Sequence, residues 1–295
     1  MNQPVRRSDL ACESVPSPGR DGTHFHAYSR HGISVEEMQI LPGKEEEESG
    51  RSAGQYATLH CGKIWLLDRE ESLRVQRVTA DLLRRFLKQS LGRTPNKDTG
   101  ILVAGLGNRF ITADSIGPRT ADLVTVTNHA REEEHLFSLL DCARVSAFSP
   151  GVLGQTGLEA AHLITEAAKA AEADVIVAVD ALAARSTARL AATIQISDTG
   201  IRPGSGIGNC RIAITEEEMG MPVIALGVPT VVDSATLVWD ALEQAGIDDP
   251  SEELRRVLDN GRSFIVSPKE SDVIASSVAE LLSGAINRAL TPILM

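Results

Sequence analysis

From residue 100 onwards, the chain consists of short apolar runs separated by loops and helical stretches. These runs lie at residues 101–105, 122–127, 143–148, 174–180, 193–197, 222–228 and 264–267. Several are continuous and rich in valine and isoleucine, as strands that are buried on both faces usually are. An alanine-rich amphipathic stretch at 158–173 separates two of the runs and predicts a helix. A strand, a helix and a strand in this order predict an α/β fold with a mainly parallel sheet flanked by helices.

The first part of the chain has a weaker pattern. Residues 1–60 are polar and only weakly periodic, with short strands predicted at 32–40 and 55–60. One-sided apolar spacing predicts a helix over 69–91, and the C-terminal stretch 267–290 predicts a final helix. We therefore divide the chain into an N-terminal irregular or β region, 1–60, and a single α/β domain, 61–295.

Composition limits the possible partners. The net charge of −11 argues against a nucleic-acid backbone as the main partner. We find no run of about 18 uncharged apolar residues for a membrane span and no secretory signal, so we expect a cytoplasmic protein. The cysteines are widely scattered, which favours reduced thiols over a zinc site or a disulfide framework. They are Cys12, Cys61, Cys142 and Cys210.

The loop "GLGNRF", residues 105–110, begins like a dinucleotide-binding loop. That motif needs a third glycine that opens a helix for the pyrophosphate, and Phe110 stands at this position. Two interpretations remain at this point. The loop is either a phosphate cradle, or a backbone turn that presents the acid that follows it, Asp114.

The tripeptide Asp-Thr-Gly occurs twice, beginning at Asp98 and at Asp198. Pepsin-like proteases pair two such loops, but they are all-β and rich in aromatic residues, whereas this chain has 3% aromatic residues. Asp98 precedes a strand in a polar linker, where this tripeptide is ordinary turn chemistry. Asp198 opens a long glycine-rich loop after a strand, so contact with a substrate remains possible there.

Asp114 and Asp180 are the strongest catalytic candidates. Asp180 follows five apolar residues, and a buried carboxylate without a partner is costly. Its structural alternative is a cap for a helix in the following residues. His129 is the histidine best placed to join these acids, and the three together could hold a borderline cation.

Six long motifs in sequence order resemble the germination proteases of spore-forming bacteria. They are "GLGNRFITADSIGP" (105–118), "FSPGVLGQTGLE" (148–159), "VDALAARS" (179–186), "TIQISDTGIRPGSGIGN" (193–209), "MPVIALGVPTVVDS" (221–234) and "FIVSPKESDV" (264–273). The resemblance also includes "RSDLACES" near the N-terminus and "GQYATL" at 54–59. It covers the chain from about residue 100 to the C-terminus, and several motifs in register are far more specific than one glycine-rich loop.

The resemblance implies an endopeptidase that degrades small acid-soluble, DNA-coating spore proteins early in germination. It implies an atypical aspartic protease with a fold similar to that of hydrogenase-maturation peptidases, the phosphorylase/hydrolase-like fold. It also implies a homotetramer in the spore core, made as a zymogen whose pro-segment lies in region 1–60. No cofactor, metal, membrane or direct nucleic-acid contact is expected.

Site residues follow from the same resemblance. Asp114 and Asp180 match the two essential aspartates of the family, one ionised to activate water and the other protonated, in an order that the sequence leaves open. The loop is then a turn that lets backbone approach a peptide. Asp9-Leu10 matches the self-processing bond, in a sequence of acid, apolar residue, Ala, variable residue and Glu. The expected substrate contacts are Gly105, Gly107, Asn108, Asp198, Gly204 and Gly206.

Two other functions stay open. A metal-dependent maturation-type peptidase would use the same acids together with His129. A non-catalytic nucleotide-binding α/β protein would use the turn at 105–108.

Overall fold

The computed structural model describes residues 8–14, 24–132, 142–204, 211–247, 250–259 and 264–291. Within these ranges, nine strands form one mixed sheet with helices on both faces. The strands are β1 His24–Arg30, β2 Ile33–Ile40, β3 Gly54–His60, β4 Gly100–Gly105, β5 Arg144–Phe148, β6 Val175–Ala183, β7 Thr193–Ser197, β8 Val223–Asp233 and β9 Ile265–Val266.

The strand order is β1-β2-β3-β7-β8-β6-β4-β5, and β9 pairs with β8. The β5-β4-β6-β8 pairings are parallel, whereas the other five described pairings are antiparallel. The prediction of an α/β fold is confirmed, but the prediction of a mainly parallel sheet is wrong. One reason is the unpredicted strand β1, which joins β2 through His31 and Gly32 at φ of 51° and 80°. So tight a turn with left-handed residues connects only antiparallel strands.

The described helices flank this sheet. They are α1 Lys44–Ser49, α2 Arg69–Leu91, α3 Ile116–Leu123, α4 Leu153–Thr156, α5 Ala160–Ala170, α6 Glu216–Met219, α7 Ser234–Gln244, α8 Glu252–Asp259 and α9 Ser271–Leu290. The predicted helix at 69–91 is confirmed as α2, and a capping box between Asp68 and Glu71 fixes its start. The predicted strand at 122–127 is wrong, because α3 continues to Leu123.

Alternate residues of the central strands pack on opposite faces of the sheet, as the strand period of two requires. Val177 and Val179 of β6 belong to a large apolar core with α2, α3 and α9. Ile176 and Ala178 pack in a second core with α5. Asp180 continues the second series, so its side chain lies on the α5 face of the sheet.

Helix α9 is, within the described residues, the one helix long and apolar enough to cross a bilayer by length and composition alone. In this fold it packs along α2 and α3, and 61% of its most apolar window is buried in the protein. Core packing therefore accounts for its apolar residues.

The N-terminal strands belong to the same sheet as the rest of the chain. Strand β3 pairs with β7, with Tyr56 opposite Ser197 and His60 opposite Thr193. The division of the chain at residue 60 stays a prediction. The three cysteines among the described residues, Cys12, Cys61 and Cys142, are free thiols.

Candidate active site

A row of three residues crosses the middle of the sheet. Asp180 of β6 pairs with Gly227 of β8, which in turn pairs with Gln195 of β7. Neighbours in register point to the same face, and two strand spacings separate Asp180 from Gln195 by about 10 Å. Gly227 has no side chain, and the side chain of Leu182 occupies the space that a Cβ atom there would take. We call these three residues the central row.

Asp180 lies within strand β6 rather than at its end. The strand continues to Ala183, so the interpretation of Asp180 as a helix cap is wrong. Its side chain is buried, which raises the pKa of this carboxyl well above its ordinary value, and the negative charges of Asp114 and Asp9 raise it further. The N–H of Ala181 donates to Asp180 Oδ1 at 2.9 Å and opposes this shift in part. Asp180 therefore keeps its proton more readily than an ordinary aspartic acid does.

Asp114 is held in a 3-10 turn, Thr112–Asp114, after strand β4. The N–H of Asn108 donates to Asp114 Oδ2 at 2.7 Å. Gly107 has a φ of +110°, and a Cβ atom there would lie 2.1 Å from the carbonyl oxygen of Asp114. Glycine is required at this point because only glycine combines that backbone conformation with so close an approach. The turn thus presents an acid and is not shaped around a phosphate.

The two carboxyl groups have different environments. Burial raises the pKa of Asp114 to about 6, and its hydrogen bond from Asn108 limits the rise. Burial also raises the pKa of Asp180, and the charge of Asp114 adds to this rise. Thr230 of β8 donates to the carbonyl oxygen of Ala113 at 2.7 Å, which ties the turn to the sheet beside the central row. The structure therefore brings together two acids whose pKa values are raised from different combinations of causes.

Residues 8–14, the N-terminal segment, lie across the central row. The N–H of Asp9 donates to the carbonyl oxygen of Ala183 at 2.8 Å, and the N–H of Ala183 donates to Asp9 Oδ2 at 2.8 Å. Gln195 Nε2 donates to the carbonyl oxygen of Asp9 at 3.1 Å. Gln195 Oε1 accepts from the N–H of Ala11 at 2.7 Å. One amide group therefore bridges the two sides of the Asp9-Leu10 peptide bond.

The side chains of the N-terminal segment are also enclosed. Leu10 is fully buried in an apolar cluster with Leu182 and Ala184. The side chain of Glu13 is only 2% exposed. Its carboxylate accepts hydrogen bonds from the N–H groups of two residues and pairs with a guanidinium. These partners are Arg185 at 2.6 Å, Ser186 at 2.9 Å and Arg189 Nε at 3.3 Å.

A cavity of about 360 Å³ continues from the central row along the N-terminal segment. Thr199 and Gly200 of the glycine-rich loop line it, and so do Arg51 and Gly204. Asp180 also lines this cavity, which leaves room for part of a polypeptide beside it.

The remaining predicted residues have the following positions. Gly105 packs against α3, where a Cβ atom would lie 2.1 Å from the carbonyl oxygen of Gly117. The carboxylate of Asp198 accepts a hydrogen bond from the N–H of Gln55 at 2.7 Å and so joins β3 to the end of β7. Gly206 lies outside the described residues.

His129 is exposed on the 3-10 turn Asn128–Glu132. Within the described part of the chain, no group of three or more His, Cys, Asp or Glu side chains is arranged to hold a metal ion.

The sequence model of the germination proteases matches residues 8–245, which is most of the chain and includes every residue of the site described above. The chain belongs to the germination protease family. Among its relatives, the germination protease of Caldanaerobacter subterraneus subsp. tengcongensis is 35% identical over 97% of this chain and 94% of its own length.

Two further germination proteases are similar to the chain. That of Clostridium acetobutylicum is 33% identical over 98% of this chain and 94% of its own length. That of Priestia megaterium is 33% identical over 97% of this chain and 92% of its own length. This member of the germination protease family is therefore a peptidase of spore germination.

Sequence reasoning missed three parts of this candidate site: Gln195, the backbone of Ala183 and the residues around Glu13. Gln195 stands between Ile194 and Ile196, and its buried polar side chain in an apolar strand was the signal that could have found it. The backbone contacts of Ala183 and the partners of Glu13 depend on how the N-terminal segment lies on β6, for which the sequence contains no local signal.

Proposed function

We propose that this chain is an endopeptidase that degrades small acid-soluble, DNA-binding spore proteins during germination, with Asp114 and Asp180 as its catalytic pair. The family membership supports the substrate class. The observation that carries the mechanism is a pair of acids with raised pKa values, of which Asp180 feels the charge of Asp114, beside a peptide segment of the chain itself.

Different pKa values favour one assignment of roles. Asp114, with a pKa of about 6, is ionised at pH 7 and takes a proton from the attacking water. Asp180 is protonated and donates a hydrogen bond to the carbonyl oxygen as negative charge develops there. The water oxygen bonds to the carbonyl carbon, and Asp114 then delivers its proton to the amide nitrogen as the C–N bond breaks. Asp180 keeps its own proton through the cycle.

Self-processing at the Asp9-Leu10 bond is the second part of the proposal. The N-terminal segment runs beside Asp180 with its main chain hydrogen-bonded to β6, as a bound peptide strand would be. In this proposal, the intact segment fills the site of the zymogen and its cleavage is the first turnover. The same proposal includes a homotetramer in the cytoplasm of the spore.

Incubation of the purified protein with a peptide containing Glu-Phe-Ala-Ser-Glu tests this function. We expect cleavage by the wild type after maturation and none by Asp180→Asn. Mass spectrometry of the matured protein should find the chain beginning at Leu10. An active enzyme that retains residues 1–20 would contradict the processing site, and cleavage by both proteins would contradict the catalytic pair. Activity that persists in a strong chelator would count against the metal-dependent alternative.

A further inference from the structure

We infer that Gln195 is a catalytic residue that binds the peptide bond to be cleaved. It stabilises the negative charge that develops on the carbonyl oxygen of this bond. The inference rests on the proposed function and goes beyond the two acids. It follows from the central row, in which the amide of Gln195 and the carboxyl group of Asp180 face each other across Gly227.

The amide of Gln195 has one orientation that satisfies both of its partners. The N–H of Ala11 can only donate, so it must meet Oε1, and the carbonyl oxygen of Asp9 can only accept, so it must meet Nε2. The side chain thereby fixes the peptide on both sides of the Asp9-Leu10 bond. A glutamate at this position would keep the acceptor for Ala11 but would lose the donor to Asp9.

Because Gln195 is buried, the loss of either of these hydrogen bonds would be costly. Gln195 is only 8% exposed, and a buried amide without partners is costly. Its carbonyl partner on Asp9 belongs to the bond proposed to be cut, so the Nε2 donor lies where the oxyanion of the tetrahedral intermediate forms. Fixed donors of this kind contribute about 10²- to 10³-fold to kcat in other proteases.

Gly227 explains how Leu182 can lie over strand β8. A Cβ atom at this position would meet the side chain of Leu182 at 2.6 Å, so this side chain occupies the space that glycine leaves. Leu182 packs against Leu10, and the missing side chain at Gly227 therefore makes room for the apolar contact that holds the peptide beside the central row.

The test compares Gln195→Glu and Gln195→Met with the wild type and Asp180→Asn. The readouts are the first-order rate of self-processing and the kcat and KM for a peptide copy of residues 5–17. We expect Gln195→Glu to lower kcat about 10²- to 10³-fold with little change in KM, because the acceptor for Ala11 is kept. Gln195→Met should lower kcat and also raise KM. Gln39→Glu, on the exposed side of β2, is the matched control and should process like the wild type.

A rate near that of the wild type in Gln195→Glu, together with an inactive Asp180→Asn, would overturn this inference and leave the proposed function intact. Cleavage by Asp180→Asn would instead contradict the proposed function. Thermal unfolding identifies variants that do not fold. Loss of the folded state in both Gln195 variants would make the residue structural and would also overturn the inference.

Discussion

The sheet has two halves that share strand β8, and they contribute different groups to the site. The parallel half, β5-β4-β6-β8, carries both acids: Asp114 in the turn after β4 and Asp180 within β6. The antiparallel half, β1-β2-β3-β7-β8, carries Gln195 on β7. In our proposal the acid–base chemistry comes from the parallel half alone, whereas both halves bind the peptide, through Ala183 of β6 and Gln195 of β7. The comparison teaches that neither half contains a complete site.

The two acids of the parallel half differ from each other as well. Asp114 lies in a turn and receives a hydrogen bond from a backbone N–H, whereas Asp180 lies deep in a strand and faces the charges of other acids. This difference separates their pKa values, as a base and an acid at one pH require.

The largest expected effect comes from the acids of the parallel half. We expect Asp114→Asn and Asp180→Asn each to slow self-processing and peptide cleavage by about 10³-fold or more, because each removes one acid–base group. First-order rates from mass spectrometry measure the loss. Asp98→Asn, in the other Asp-Thr-Gly sequence and exposed, should process normally. If either site variant keeps a tenth of the wild-type rate, the parallel half is not the source of the chemistry.

The second effect is a dependence on pH that distinguishes the two acids. Asp114 must be ionised, so the rate should fall about tenfold for each unit of pH below its pKa of about 6, or about 100-fold between pH 6 and 4. At high pH the rate should fall again when Asp180 loses its proton. Rates between pH 4 and 8, with near-UV circular dichroism to verify folding, measure this profile. A flat profile from pH 4 to 7 would be inconsistent with Asp114 as the base.

A smaller effect is expected where the two halves meet. In Gly227→Ala the new Cβ would lie 2.6 Å from Leu182, so that side chain must move and disturb its packing against Leu10. We expect about a tenfold loss in kcat/KM, mostly in KM, for the peptide copy of residues 5–17. Gly154→Ala is the matched control, because a Cβ there meets nothing within 4 Å. An unchanged KM in a folded Gly227→Ala would show that Gly227 of the shared strand β8 does not affect binding of the peptide.

The smallest effect concerns stability. An acid whose pKa is raised in the folded state keeps a proton that the unfolded chain releases above its ordinary pKa of about 3.9, so folding is penalised as pH rises beyond that value. Asp180→Asn removes this penalty, and we expect its Tm at pH 7 to exceed that of the wild type by a few degrees. The gain should disappear towards pH 4. Asp98→Asn should show no gain, and a lower Tm for Asp180→Asn at pH 7 would contradict the argument.

Sequence reasoning worked better on the parallel half than on the antiparallel half. Continuous apolar runs predicted β4 and β6, because strands buried on both faces need them. Strand β1, "HFHAYSR", has no such run, and its only local signal is the turn at His31 and Gly32 that joins it to β2. The antiparallel orientation of β1 against β2 follows from this turn, which the apolar pattern does not record.

The residues of the candidate site divide in the same way: the sequence indicated those of the parallel half but not Gln195 of the antiparallel half. The positions of Asp114 and Asp180 after or within apolar runs indicated both acids, although their proximity depends on the turn at Gly107. The bond between Gln195 and the N-terminal segment joins residues more than 180 positions apart. A hydrogen bond between a side chain and the main chain of a residue so far away in the sequence leaves no recognisable pattern in a single sequence.

The burial of Leu10 has a consequence for the moment after cleavage. A cut between Asp9 and Leu10 would convert a neutral peptide link into a fresh ammonium group and a fresh carboxylate. The ammonium would begin inside the apolar cluster with Leu182, and the carboxylate would begin near the acids that already repel one another. Isolated charges are poorly tolerated in such surroundings. The severed ends would be driven into solvent, and the vacated channel could then admit the next polypeptide.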